Sequence, residues 1–161
     1  MRLTVYTDYA LRVLLVLTAS RDRLLTIAEI SAGFAISEAH LMKITHALAR
    51  LGWVTTVRGR GGGMRLAIDP AQLSLRKIVQ TLEHDFTLVE CFGEGDRCML
   101  SGGCRLEHAL SRALQAFYDE LEQYSLAELT AGSPLLGGID LDARRDRTDM
   151  NRPDIGRHPR S

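Results

Sequence analysis

Apolar positions recur along the chain at helical spacing, interrupted once by a short pair of strand-like segments around a glycine run. From Asp8 to Ala19 almost every residue is apolar, as expected of a helix buried on most sides. Asp8 and Arg12 are the exceptions, and their i, i+4 spacing places them on one face. Thr26 to Phe34 predicts a second helix, with Thr26 as N-cap and Glu29 three residues on to complete a capping box. After a break at Gly33 to Ile36, Ser37 caps a third helix running to Leu51. Its stripe is Leu41, Ile44, Leu48 and Leu51, and Gly52 is placed to end it. The opposite face carries His40, Lys43 and Arg50.

Trp53 to Arg58 reads as a strand, Gly59 to Gly63 as a turn and Met64 to Ile68 as the returning strand. Two helices joined by a short turn, then a β-hairpin holding Arg58, Arg60 and Arg65, are the ingredients of a winged helix-turn-helix. Ser74 caps a further helix from Leu75 to His84. The segment from Arg105 to Tyr124 carries the stripe Leu106, Leu110, Ala113, Phe117, Leu121 and Tyr124. Such a helix, about 30 Å long, seeks a partner helix in so small a protein, so a homodimer is expected. Ser125 and Glu128 form a second capping box for a short helix to about Thr130. From Ser133 the chain turns rich in charge, Gly and Pro, which predicts a disordered tail.

The fold expected is mainly α with a small β-hairpin wing. Residues 1–77 are a DNA-binding winged helix-turn-helix, 78–132 a cysteine loop with a dimerisation helix, and 133–161 the tail. Charge sharpens that division. The formal net charge of the 161 residues is zero, yet residues 1–77 hold eleven Lys/Arg against five Asp/Glu, and residues 78–132 hold three against ten. A basic first half is the footprint of a nucleic-acid partner that the overall balance hides. The glycine run Gly59 to Gly63 lacks the Gly-Lys-Ser/Thr ending of a nucleotide loop, and position 64 is Met where a dinucleotide fingerprint needs Gly. The candidates for DNA contact are Ser37, His40 and Lys43 on the third helix and Arg58, Arg60, Gly61, Gly62 and Arg65 in the wing.

The only three cysteines, Cys91, Cys98 and Cys104, fall within the run CFGEGDRCMLSGGC. Three is odd for disulfides and one short of the four ligands that tetrahedral zinc or an iron-sulfur cluster takes. The spacing lacks the C-x2-C knuckle typical of structural zinc. It favours an iron-sulfur cluster, with zinc, and His108 as its fourth ligand, the alternative. Free clustered thiols suit a reducing compartment. The apolar N-terminus, interrupted by Asp8 and Arg12, lacks a basic leader and the length of a bilayer span, so a cytoplasmic protein without a membrane partner is expected. No nucleophile with its base and no paired carboxylates are placed for catalysis, which argues against an enzyme.

Five stretches carry a family resemblance: MRLTVYTDYALRVLLVL, ISEAHLMKITHALARLGWV, VRGRGGGMRLAI, the three cysteines, and CRLEHALSRALQAFYDELEQYSLAEL. Together, from residue 1 to about 131, they resemble the winged-helix iron-sulfur regulators, and within these the repressors that sense nitric oxide. The resemblance implies a homodimer on a palindromic operator in double-stranded DNA. Its cluster, most commonly 4Fe-4S with 2Fe-2S as the other form, is held by Cys91, Cys98 and Cys104 and by Asp8 of the other subunit, with Arg12 beside Asp8 as support. Other members use a histidine three residues after the last cysteine; that position here is Glu107, and His108 is one residue out of register. Lys43 stands where the nitric oxide-sensing branch has its lysine. The alternatives left standing are a regulator that reads cluster supply or redox state, and a zinc-stabilised dimer without a regulatory role.

Overall fold

In the computed structural model, residues 2–83 and 104–132 are described. The order is α1 (Val5–Ala19), α2 (Ile27–Phe34), α3 (Glu38–Arg50), β1 (Val54–Val57), β2 (Gly63–Leu66), a 3-10 turn (Pro70–Gln72), α4 (Leu75–Leu82), α5 (Arg105–Glu122) and α6 (Leu126–Thr130). The expected class, mainly α with one two-stranded antiparallel hairpin, is the observed one. The expected disordered tail, together with Cys91, Cys98 and His84, lies outside the described residues.

Helix α1 is the hub. It packs against α3, β2, α4 and α6, which is why so few of its positions are polar. Ala10, Val13, Leu14, Val16 and Leu17 are buried, and each buried Leu or Val contributes about 1.5–3 kcal/mol relative to exposure. The core continues through Leu25, Ile30, Ile36, Leu41, Ile44, Leu48, Trp53 and Met64, and takes in Ile78 and Leu82 of α4 and Leu126 of α6. The division expected between residues 77 and 78 therefore falls inside a helix, α4, whose apolar face belongs to the same core as α1.

Most ends obey their caps. Thr26 and Ser125 close capping boxes with Glu29 and Glu128, and Ser37 and Ser74 cap α3 and α4. Some boundaries differ from expectation: α3, α4 and α5 end one to two residues early, at Arg50, Leu82 and Glu122. Helix α1 starts at Val5 rather than Asp8, because Thr4 caps it. Inside the expected break between α2 and α3 the left-handed residue is Ala35, at φ 54°, and its amide caps back on the Ser31 carbonyl. The hairpin is shorter, paired from Val54 with Leu66 to Val57 with Gly63, and Leu25 extends it through a mutual backbone bridge to Met64 (3.0 and 2.7 Å).

Helix α5 has no fully buried residue. Polar links hold it to α4: the Ser74 hydroxyl donates to Glu122 at 3.0 Å, Arg76 pairs with Asp119 at 3.2 Å, and the Arg76 guanidinium lies 5.6 Å from the Tyr118 ring centroid. Leu106 at its start is 64% exposed, so much of the expected stripe faces outward.

Candidate nucleic-acid interface and metal centre

The sequence of α3 explains its two faces. Leu41, Ile44, Thr45 and Leu48 are buried, whereas His40, Met42, Lys43, His46 and Arg50 are exposed. Ser37 spends its side chain on the cap, accepting from the His40 amide at 3.4 Å, so its oxygen starts the helix that presents Lys43. Met42 and His46 belong to this face too. The three-residue step from Lys43 would have found His46.

The wing projects Arg58, Arg60 and Arg65 into solvent. None of the three has an ion pair or hydrogen-bonding partner among the described residues, which leaves their full donor sets for phosphate. Glycine at the tip is a geometric need. Gly61 sits at φ 75°, and a Cβ on Gly62 would collide with the Val57 carbonyl oxygen. The Gly62 amide closes the turn on the Gly59 carbonyl at 2.9 Å.

Asp8 lies in the first turn of α1, where Arg12 holds it with two bonds: Nη2 to Oδ2 at 2.9 Å and Nε to Oδ1 at 3.2 Å. The two side chains remain 47% and 43% exposed. At that exposure the pair is worth only about 0.3–0.5 kcal/mol, so Asp8 exchanges Arg12 for another partner at small cost. Arg12 also lies 6.0 Å from the Tyr9 ring centroid, and Tyr9 meets His40 of α3 with ring centroids 6.2 Å apart. Asp8, Arg12, Tyr9 and His40 thus form one continuous series from α1 to the exposed face of α3. Tyr9 was not legible as part of it, since only the fold brings α1 beside α3.

Cys104 is half-buried at the N-cap of α5 and makes no side-chain capping hydrogen bond. His108, the alternative zinc ligand, is exposed one turn later. Among the described residues no three His, Cys, Asp or Glu side chains converge to hold a metal, and no helix is long and apolar enough to cross a membrane.

The profile of one family, Rrf2, described as iron-dependent transcriptional regulator, matches residues 3–132. The chain belongs to the Rrf2 family. The HTH-type transcriptional regulator NsrR of Geobacillus kaustophilus is 48% identical over 131 residues, 80% of this chain and 89% of that protein. NsrR of Bacillus subtilis is 45% identical over the same length, again 80% of this chain and 90% of the relative. Among solved structures, CymR, the global cysteine regulator of B. subtilis, superposes with TM-score 0.68 at 21% identity, covering 81% of this chain and 97% of that one. IscR of T. potens gives 0.64 at 18%, covering 80% and 85%. Both show the Rrf2 winged-helix fold. The relatives are named as transcriptional regulators rather than enzymes, in agreement with the expectation from sequence.

Proposed function

We propose that this chain is a homodimeric transcriptional repressor of the cytoplasm whose grip on a palindromic operator is set by an iron-sulfur cluster that responds to nitric oxide. The observation that carries this reading is the placement of Asp8. It is an exposed carboxylate held by one weak ion pair, on the helix whose next residue touches the DNA-facing side of α3. In support stand the cations of α3 and the wing, which have no ion-pair partner among the described residues, and relatives named NsrR at 45–48% identity.

The residues suit the group they would hold. Cys91, Cys98 and Cys104 are soft ligands for iron, and Cys104 has no competing cap bond. Asp8, from the other subunit, is a harder and weaker one. When bound, the cluster supplies iron, most simply as 4Fe-4S, with which nitric oxide reacts. The chain's own residues do the rest. Asp8 would serve either as a ligand of the cluster or as the partner of Arg12, Arg12 and Tyr9 link it to His40, and Lys43 with the wing arginines binds phosphate. A change at Asp8 would reach the exposed face of α3 through Tyr9 and His40, and through that face DNA binding and repression.

The test is anaerobic purification with iron and sulfide analysis, followed by titration with a nitric oxide donor while cluster absorbance and binding to an inverted-repeat promoter fragment are recorded together. Both signals should fall in step. DNA affinity that ignores cluster loss sinks the sensing role, and a colourless preparation with stoichiometric zinc sinks the cluster.

A further inference from the structure

Three helices start with the same chemistry, but one borrows it. In α2, Glu29 accepts from the Thr26 amide at 2.6 Å and from its hydroxyl at 2.7 Å. In α6, Glu128 does the same for Ser125, at 2.8 and 2.7 Å. In α1 the corresponding third residue is Thr7, which has no carboxylate to offer. Glu83 supplies it instead, from 79 residues away: its Oε1 accepts from the Thr4 amide at 2.7 Å and from the Thr4 hydroxyl at 3.0 Å. Thr4 Oγ1 in turn accepts from the Thr7 amide at 3.2 Å. The capping box of α1 is therefore completed in trans, by the residue that ends α4.

Glu83 is only 8% exposed, and no cation pairs with it among the described residues. A buried carboxylate whose described partners are two donors on one residue cannot let go without being hydrated or left unsatisfied. Its charge also reaches α5. Burial raises the Tyr118 hydroxyl above its ordinary pKa, Arg76 opposes that rise and Glu83 adds to it. Glu83 thus joins the start of α1 to the end of α4, and in sequence it is eight residues ahead of Cys91.

We propose that Glu83 is a positioning residue that couples the cysteine segment to the DNA-binding unit by capping α1 from the far end of α4. The proposal rests on the cluster reading given above. The first turn of α1 carries Asp8 and stands next to Tyr9 and Arg12, so whatever shifts the chain at Glu83 loosens or tightens that turn. A cap supplied from within α1 would isolate the turn from α4; this one cannot.

The experiment compares cluster-loaded and cluster-free wild type with Glu83→Ala and Glu83→Gln, measuring cluster absorbance per chain and the ratio of DNA affinities between the two forms. Glu83→Ala should keep normal cluster absorbance while that ratio falls toward one, by about fivefold or more. Glu83→Gln should retain the wild-type ratio, because an amide oxygen accepts the same two bonds. Should Glu83→Ala not fold, Thr4→Ala, which removes the hydroxyl, and Thr4→Ser, which keeps it, carry the same contrast. A Glu83→Ala protein with the wild-type ratio overturns the coupling, as does one that cannot hold the cluster or a Glu83→Gln protein that behaves like alanine. A wild-type ratio of one overturns the cluster-gated reading itself, and the coupling with it.

Discussion

Replacing Arg60 with alanine tests the nucleic-acid face without knowledge of the operator. The side chain is exposed at the wing tip and has no partner among the described residues, so its loss should change folding stability by less than about 0.5 kcal/mol. Its effect on DNA is electrostatic. The proposed homodimer would present two wings, and each phosphate contact contributes about 0.9 to the slope of log affinity against log salt. Arg60→Ala should therefore flatten that slope by about two. Between about 50 and about 200 mM salt, the affinity deficit of the variant should then shrink roughly tenfold. Fluorescence anisotropy with a labelled duplex over a salt series measures it, and any duplex serves because the effect is independent of sequence. Arg76→Ala is the control: Arg76 pairs with Asp119 and Tyr118 between α4 and α5, and its removal should leave the slope unchanged. An unaltered slope for Arg60→Ala, or an equal change for Arg76→Ala, refutes the assignment of the wing to phosphate.

Leu14 is fully buried in α1, and Leu14→Ala should cost about 3 kcal/mol, seen in calorimetry as a fall in Tm of roughly 10 °C. Gly62→Ala brings a Cβ against the Val57 carbonyl, so amide exchange should rise at the wing and DNA affinity should fall while α1 stays protected; an unchanged wing would show that the turn has room. Glu29 is pushed up by burial, but its bonds from Thr26 and the charge of Arg23 outweigh this and hold its pKa below the ordinary glutamate value. A carboxylate depressed in the folded state contributes fully above the ordinary glutamate range and loses that contribution as pH falls through the range toward the lowered value. Thermal melts of wild type and Glu29→Gln should therefore run parallel from pH 7 to about 5 and converge as pH falls further; curves that stay parallel below the ordinary glutamate range would remove Glu29 from the acid response.

What the sequence discloses follows the range of the interaction. The caps at Thr26, Ser37, Ser74 and Ser125 are legible because donor and acceptor lie within three residues, and the wing because its glycines and arginines sit together. The first three residues of α1 are missed although Thr4 caps Thr7 over the same span, and the carboxylate that completes that cap is hidden from local pattern because it comes from Glu83. Nor is the meeting of Tyr9 with His40, which exists only once α1 packs on α3. The 3-10 turn at Pro70 also escapes a search for longer helices, although Asp69 caps it by accepting from the Ala71 amide at 3.0 Å. For the candidate site, the sequence names Asp8 and Arg12 as neighbours on one face and the structure joins them. The proposed convergence of three cysteines with a carboxylate from a second chain is beyond what local pattern encodes, and the resemblance alone implies it.

Met64 is shared property. It is 2% exposed, its sulfur accepts from the Thr45 hydroxyl of α3 at 3.6 Å, and its backbone is bridged to Leu25. In the proposed DNA-binding unit, the helix and the wing are in this way joined into one head through a single shared residue. A change of operator preference in such a head has to come from exchanging the exposed side chains of α3 and of the wing tip. The spacing between the exposed side chains of α3 and those of the wing stays fixed, like the pitch of teeth on a key.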